Sequence, residues 1–293
     1  MGALITFVTT CRGRLAHLRE TLPTFVRQPD ASVVVVDYSC PDASGDWVEA
    51  NFPQVEVVRS AGNPHFEMAR ARNLGAARVR SPWICFIDAD TSVDERFCDR
   101  FKPLLATGCF YRAEPRTRET SGMTVCAAED FRDIDGYDEV IQGWGQEDAD
   151  LYARLVMAGV RDVGFPGEMV RSLEHSDTER VAHYEVKDHW LSTSINHVYC
   201  RAKIDLMLLC QGPLDLDRRK HLYETVHKLV EPAHKSGQPV SLTLPFATHQ
   251  TRVCGPLNAK LVYTLPKPRG AGRPLLHVSG IVPNPARFRQ RQS

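Results

Sequence analysis

The sequence predicts an α/β protein with a mainly parallel central sheet and helices on both faces of that sheet. Four apolar runs follow one another in the N-terminal third, namely ITFVTT, VVVVDY, VEVVRS and WICFID. Segments in which apolar residues recur at helical spacing separate these runs. The run VVVV is apolar at every position, which is expected of a strand that is covered on both faces of a parallel sheet.

Each of the first three strands is followed by a predicted helix. After the first strand, RLAHLRETLPTFV places Leu15, Leu18, Leu22 and Phe25 near helical spacing. DASGDWVEANF and FEMARARNLGAARVR predict the next two helices. Alternation of this kind is typical of doubly wound sheets, in which ligands bind beyond the carboxyl ends of the strands.

The pattern changes after Arg96. FKPLLATGCFYRAEP and GMTVCAA predict further strands, and EDFRDIDGYDE predicts a short helix and turn. The stretch GWGQEDADLYARL then leads into a helix that is expected to run to about Gly159. Two more helices are predicted in HYEVKDHWLSTSINHVYCRAKIDLMLLC and LDRRKHLYETVHKLVEPAHK, and VSLTLPFATHQTRV and AKLVYTLP have strand character. PKPRGAGRP is interpreted as a linker.

Composition excludes some classes of protein. Lysine plus arginine and aspartate plus glutamate both number 36, so the chain lacks the basic excess of a general nucleic-acid binder. Nine cysteines without a CxxC pair indicate reduced, packed thiols and a cytoplasmic protein. No apolar run approaches the roughly 20 residues that span a bilayer, although the basic C-terminal RFRQRQS leaves peripheral membrane association open.

Two pairs of acids are the strongest candidates for chemistry. Asp88 and Asp90, in FIDADTS, could hold a divalent cation and a diphosphate, or could cap the next element. Glu147 and Asp148 fall in the first turn of a helix, where acids complement the helix dipole. Neighbours on a helix point about 100° apart, so one acid could hold an acceptor hydroxyl while the other takes its proton. Trp144, between two glycines, offers a flat face to a sugar.

Other polar side chains follow the strands or lie on the third helix. Arg12 and Arg14 could pair with phosphate oxygens, or could be solvated at a helix start. Asp37 could bind a base or ribose, or could cap a turn. Arg72 and Asn73 could approach the same crevice, although a plain amphipathic helix would give a similar string.

The motifs together resemble a known family. ITFVTTCRGRLAHLRETL, VVVVDYSCPD, ARARNLGAARVRSPWICFIDAD, GMTVCAAEDFRDIDGYDE and GWGQEDADLYARL are similar, in order and spacing, to a GT-A-fold glycosyltransferase of the family 2 type. The C-terminal half resembles β-1,4-galactosyltransferases and chondroitin-type polymerases. The resemblance covers roughly residues 3 to 180.

This resemblance implies a role for each matching residue. Asp148 would be the catalytic base and Glu147 the acid that holds the acceptor. Asp90 and His175, the latter in EHSD, would bind Mn²⁺ or Mg²⁺. The residues expected to contact the nucleotide or the sugar are Thr10, Arg12, Asp37, Arg72, Asn73, Asp88 and Trp144.

Four positions depart from the family pattern. Tyr38 replaces the second acid of the usual DDGS, and Gln146 stands where a glycine is common. Ala149 replaces a third acid, and Ser172 stands where the galactosyltransferases have a methionine metal ligand. These departures bear on the donor, the metal and the coordination number, whereas the two acid pairs are retained.

The resemblance therefore implies a metal-dependent, inverting transfer of a sugar from a UDP-sugar to a glycan or glycoconjugate hydroxyl, forming a β-glycosidic bond. Residues 1–200 would form the GT-A domain, with a nucleotide-sugar half (1–95) and an acceptor half (96–200), and 201–293 an extension of unknown role. The alternatives are a nucleotidyltransferase of similar fold, which would want a glycine-rich basic loop after the first strand, and a non-catalytic carbohydrate-binding module. The sequence identifies neither the sugar nor the acceptor.

Overall fold

The computed structural model describes residues 2–117, 120, 122–173, 181–236, 240–245, 258–264 and 277–283. The chain divides into two compact units. Unit 1 comprises Met1–Glu139 and Glu147–Lys187, and unit 2 comprises Val140–Gln146 and Asp188–Ser293.

A seven-stranded sheet forms the centre of unit 1, in the order β3-β2-β1-β4-β7-β6-β8. The pairings of β1 with β2 and β4, of β2 with β3, and of β6 with β8 are parallel, whereas β7 runs antiparallel to β4 and β6. The mainly parallel sheet predicted from the sequence is therefore confirmed. The strands are β1 (Ile5–Cys11), β2 (Ala31–Tyr38), β3 (Glu56–Ser60), β4 (Trp83–Phe86), β6 (Cys109–Glu114), β7 (Thr124–Ala127) and β8 (Arg161–Pro166). A separate two-stranded sheet pairs β5 (Thr91–Val93) with β9 (Val170–Ser172).

Helices cover this sheet and place the polar turns at its carboxyl edge. They are α1 (Leu15–Val26), α2 (Ser44–Asn51), α3 (Met68–Ala76), α4 (Phe97–Phe101), α5 (Ala128–Asp133) and α6 (Glu147–Met157). Close packing of α3 on the sheet depends on Gly75. A Cβ atom there would lie 2.4 Å from a Val8 methyl group and 3.0 Å from a Val36 methyl group, so the helix approaches β1 and β2 at backbone distance.

One predicted strand is only half correct. In FKPLLATGCFYRAEP the strand begins at Cys109, and the first part instead continues α4 as a 3₁₀ turn, Lys102–Leu104. Phe97 and Phe101, one helical turn apart, are both fully buried against the sheet, and Pro103 fits the start of the 3₁₀ turn. Helical spacing on one buried face thus decides the local structure here.

Unit 2 consists of the segment Val140–Gln146, two long helices and a small antiparallel sheet. The helices are α7 (His189–Cys210) and α8 (Leu216–Ser236), and the sheet has the order β10-β11-β12, with β10 (Val240–Pro245), β11 (Asn258–Thr264) and β12 (His277–Pro283). The boundary placed at residue 200 from the sequence falls inside α7, because this helix packs along its whole length with α8 and Val140–Ile141 in one core. Strand β12 has no counterpart in the sequence-based prediction.

Of the helices in the described part of the chain, none is both long and apolar enough to cross a membrane.

Candidate active site

The carboxyl edge of β4 carries the first pair of acids. The strand ends at Phe86, and Asp88 and Asp90 lie in the turn that leads to β5. Arg72, from the middle of α3, reaches this turn and donates a hydrogen bond from Nη2 to Asp88 Oδ1 at 2.7 Å. The Arg72 side chain is only 2 % exposed, so its charge is compensated inside the protein.

The same guanidinium also binds the second pair of acids. Arg72 Nη1 donates to Asp148 Oδ1 and, at 3.0 Å, to the Tyr137 hydroxyl. The Tyr137 hydroxyl in turn donates to Asp148 Oδ1 at 3.1 Å. Arg72 therefore joins Asp88 to Asp148, two carboxylates that lie far apart in the sequence.

Glu147 and Asp148 form the first turn of α6. The helix can begin here because Gln146 has a φ of +79°, which interrupts any regular structure before it. Its apolar face, including Leu151 and Leu155, is fully buried. Both acids thereby stay on a fixed backbone at the edge of the sheet.

Burial changes the acidity of this second pair. Removal from water raises the pKa of Glu147, and the neighbouring Asp148 carboxylate raises it further. Burial also raises the pKa of Asp148, although the Arg72 guanidinium opposes this effect. Among the described residues, no group forms a hydrogen bond with the buried Oε2 of Glu147. Such an acceptor is costly unless a bound molecule supplies a donor.

Asp90 forms an ion pair with a different arginine, Arg14. Arg14 Nη1 lies 3.4 Å from Asp90 Oδ2, and both side chains are largely buried. The backbone at Gly122 lies close to this turn, because a Cβ atom on Gly122 would be only 2.6 Å from Asp88 Oδ2. Within the described ranges no group of three metal-ligating side chains is found, and His175 lies outside them. The carboxylates of Asp88 and Asp90 are hard oxygen donors in one turn, which fits Mg²⁺ or Mn²⁺.

Three residues expected to contact the nucleotide hold the surrounding loops. Both carboxylate oxygens of Asp37 accept backbone N–H groups, from Cys40 at 2.8 Å and from Gly45 at 2.7 Å. The Arg12 guanidinium donates to backbone carbonyls, including Asn63 O at 2.8 Å, and the Thr10 hydroxyl contacts a methionine sulfur. These bonds shape the turns that follow β1 and β2.

Asn73 is placed to orient Tyr137. Its Nδ2 donates to Tyr137 O at 2.9 Å, and its Oδ1 accepts the Tyr137 N–H at the same distance. Tyr38, which replaces the second acid of the family pattern, is buried and donates to Glu67 Oε2 at 2.6 Å. Tyr137 was not predicted to belong to the site. In the sequence it stands out only as the tyrosine of the short turn GYDE.

Cys40 also differs from the expectation of inert, packed thiols. Its sulfur lies 4.0 Å from that of Cys11 and accepts the Gly13 N–H at 3.2 Å. The hydrogen bond from Cys11 is the main reason that the pKa of Cys40 falls to about 5. The described cysteines are all free thiols, as the sequence predicted.

In unit 2, the Trp144 ring packs against the His189 ring of α7. Its ring centroid is 4.1 Å from that of His189, and the two planes are inclined by 38°. The Trp144 side chain is half-buried, so part of its surface can contact a ligand.

Two family models match consecutive parts of the chain. Residues 6–109 match the model described as glycosyl transferase family 2. Residues 108–187 match the model described as the N-terminal domain of galactosyltransferase. The two matches meet near residue 108, which lies after Asp88 and Asp90 and before Glu147 and Asp148.

Solved proteins from two organisms have a similar fold. S. aureus TarS 1-349 in complex with UDP-GlcNAc has a TM-score of 0.57 at 13 % identity, covering 81 % of this chain and 74 % of that chain. The mannosyltransferase PcManGT from Pyrobaculum calidifontis, in complex with GDP-Man and Mn²⁺, has a TM-score of 0.52 at 14 % identity, covering 81 % and 75 %.

The fold and the family matches define the class: the chain has the GT-A fold of nucleotide-sugar-dependent glycosyltransferases. Its first part is similar to glycosyl transferase family 2, and the segment that follows is similar to the N-terminal domain of galactosyltransferase.

Proposed function

We propose that the protein transfers a sugar from a UDP-sugar to a hydroxyl group of a glycan or glycoconjugate, with inversion at the anomeric carbon and formation of a β-glycosidic bond. Mn²⁺ or Mg²⁺ assists the departure of the diphosphate. The proposal rests above all on the bridge that Arg72 forms between Asp88 and Asp148.

The contacts of Arg72 fix the distance between Asp88 and Asp148, two aspartates with different proposed roles. Asp88 belongs to the turn after β4, where ligands of doubly wound sheets bind. Asp148 begins a helix 76 residues further along the chain than Arg72. A guanidinium that binds both carboxylates keeps each at a defined distance from the other before any substrate arrives, which is the preorganisation that catalysis requires.

Asp148 is the proposed general base. A carboxylate with a raised pKa accepts a proton more readily than an ordinary one, and the effect of burial exceeds that of the Arg72 ion pair. Tyr137 and Arg72 both bind Oδ1 of Asp148. Their bonds orient the carboxylate, so that its Oδ2 is the atom offered to the acceptor hydroxyl.

Glu147 is the proposed binding group for the acceptor. Its Oε2 is buried and has no hydrogen-bond partner within the described residues. A sugar hydroxyl could donate to this oxygen and so relieve the cost of burying it. The attacking hydroxyl, deprotonated by Asp148, then forms the new C–O bond while the bond between the anomeric carbon and the diphosphate breaks.

Asp88, Asp90 and His175 would hold the divalent cation, which supplies positive charge to the leaving diphosphate when bound. The Mn²⁺ and GDP-Man complex of PcManGT supports this part of the proposal, and the UDP-GlcNAc complex of TarS supports a UDP-linked donor. Asp37, Arg12 and Thr10 would act by shaping the loops around the nucleotide. The proposed residues thus divide into proton transfer, acceptor binding and donor binding.

The experiment combines a UDP-sugar panel with an Asp148→Asn variant. Wild-type protein with Mn²⁺ should release UDP from one donor in the presence of a sugar acceptor. Asparagine keeps the shape of aspartate and lacks its basicity, so Asp148→Asn should bind UDP as wild type does and transfer at least about a hundredfold more slowly.

Asp46→Asn is a matched control, because Asp46 is also an acid in the first turn of a helix but is exposed. It should transfer at the wild-type rate. Near-wild-type transfer by Asp148→Asn would remove Asp148 from the mechanism. The absence of UDP release from every donor, with acceptors supplied, would favour a non-catalytic carbohydrate-binding module.

A further inference from the structure

The segment Gln142–Gln146, here called the GWGQ loop, has an unusual backbone. Gly143 has a φ of +73°, Gly145 of +92° and Gln146 of +79°. Left-handed conformations at three of five positions are not stabilised by regular hydrogen bonding. The loop therefore needs support from outside itself, and within unit 2 this support comes from the helices α7 and α8.

Asn196 of α7 supplies most of that support. Its side chain is fully buried, and its Nδ2 donates to Gln142 O at 2.8 Å and to Gly145 O at 2.9 Å. The same amide nitrogen lies 3.4 Å from Trp144 O. A single amide group thus binds carbonyls at both ends of the loop and fixes their separation.

The orientation of the Asn196 amide is itself fixed. The Tyr223 hydroxyl, from α8, lies 3.2 Å from Asn196 Oδ1 and 3.3 Å from Gln142 O, and it can donate to either oxygen. Because a tyrosine hydroxyl donates readily to the amide oxygen, the amide nitrogen is left to face the loop. Both helices of unit 2 therefore contribute to the loop geometry.

Ser192, one turn before Asn196, binds the centre of the loop. Its Oγ accepts the Trp144 N–H at 2.7 Å and donates to Trp144 O at 3.1 Å. A Cβ atom on Gly143 would lie 2.3 Å from this Oγ, so the position requires glycine. One further turn back, His189 stacks on the Trp144 ring. Three residues on one face of α7 thus determine both the backbone and the ring orientation of Trp144.

We infer that Asn196 is a positioning residue for acceptor recognition, and that the helical part of unit 2 exists to hold the GWGQ loop in its acceptor-binding form. This inference rests on the proposed function, since it takes Trp144 as a sugar-binding ring. In the sequence, Gln146 directly precedes Glu147, the acid proposed to hold the acceptor. Acceptor binding by Trp144 then also depends on a residue beyond the galactosyltransferase-like segment, which ends at residue 187.

The test uses Asn196→Asp, which preserves shape and replaces the donating amide nitrogen by an oxygen facing three carbonyls. Hydrogen–deuterium exchange should accelerate at the Trp144 amide, which Ser192 binds, and stay unchanged in the β1–β4 segments. With methyl β-glycosides of glucose, galactose and their N-acetylamino forms as acceptors, the acceptor KM should rise at least about tenfold, equivalent to about 1.4 kcal/mol. The dissociation constant for UDP should stay within about twofold of wild type.

Arg201→Gln is the control, because Arg201 lies on the same helix but is exposed and pairs locally with Asp205. It should leave both exchange and KM unchanged. If Asn196→Asp does not fold, Ser192→Ala removes the support of Trp144 alone and should give the same split between acceptor KM and UDP affinity.

Unchanged exchange in the loop, or an unchanged acceptor KM in an active variant, would overturn the positioning role. So would a parallel weakening of UDP binding, since that result indicates a general loss of structure. A wild-type protein without transfer activity would instead refute the proposed function. The exchange experiment does not depend on transfer, so the two failures are distinguishable.

Discussion

Replacing Gln146 by glycine should stabilise the protein, although glycine ordinarily destabilises folded chains. Gln146 has a φ of +79°, where a Cβ atom crowds the following carbonyl oxygen at a cost of about 1–2 kcal/mol. Glycine avoids that cost but loses more backbone freedom on folding, which offsets about 0.5–1 kcal/mol. The net expectation is a gain of about 0.5–1 kcal/mol in the free energy of unfolding.

Calorimetry can resolve this gain. A stabilisation of that size raises the Tm of a domain of this size by about 1–3 °C. Gln142→Gly is the matched control in the same loop, because Gln142 is exposed and is not among the residues with a positive φ. The control should lower the free energy of unfolding by about 0.5–1 kcal/mol.

The two variants must therefore shift the Tm in opposite directions. If Gln146→Gly lowered the Tm as much as Gln142→Gly does, the strain assigned to Gln146 would be wrong. The conformation also explains a family departure, since glycine is the residue commonly found at this position in the family that the sequence resembles. Here the chain keeps a glutamine at an energetic cost.

Three further results are expected. Because burial raises the pKa of Asp148, and the ionised form is the base, kcat should fall with decreasing pH around a midpoint above the ordinary aspartate value of about 3.9; a midpoint at or below that value would contradict the assignment. The raised pKa of Glu147 means that its ionised form destabilises the fold at high pH and that protonation relieves this cost. Glu147→Gln should therefore raise the Tm more at about pH 8 than at about pH 5, and it should also weaken acceptor binding. Equal shifts of the Tm at both pH values would refute this. Finally, the pKa of Cys40 near 5 predicts that iodoacetamide at about pH 7 modifies Cys40 well before the buried Cys85, as peptide mass spectrometry would show; equal rates would argue against a stabilised thiolate.

The sheet was predictable because its signals are local. Continuous β-branched runs and intervening helical spacing identify β1 to β4 and α1 to α3 without knowledge of tertiary contacts. The segment after Arg96 was harder, because Phe101 ends a short helix although the string that begins with it, FKPLLATGCFYRAEP, reads as an apolar strand. Only burial against the sheet decides between these structures.

The sequence indicates which polar side chains are candidates for the site, but not the contacts between them. Asp88 and Asp148 carry visible motifs, whereas Arg72 and Asn73 gave only the weak signal of a polar helix. The structure shows Arg72 between the two acids and Asn73 behind Tyr137. Such roles depend on contacts that span 16 to 76 residues, and no local pattern records them.

The charge balance of the site suggests why its acids behave as they do. Three carboxylates, those of Asp88, Glu147 and Asp148, interact with the single buried guanidinium of Arg72. When all are ionised, two negative charges are left for other groups to compensate, and burial makes each uncompensated charge costly. Burial is the main cause of the raised pKa values of Glu147 and Asp148, and the neighbouring carboxylates raise them further, because a proton on either group reduces the excess. Positive charge beside Asp88 would reduce it as well, and would lower both pKa values. If Mn²⁺ binds as proposed, proton affinity and cation affinity are therefore linked through this shared charge, and protonation of Glu147 or Asp148 on acidification should weaken Mn²⁺ binding.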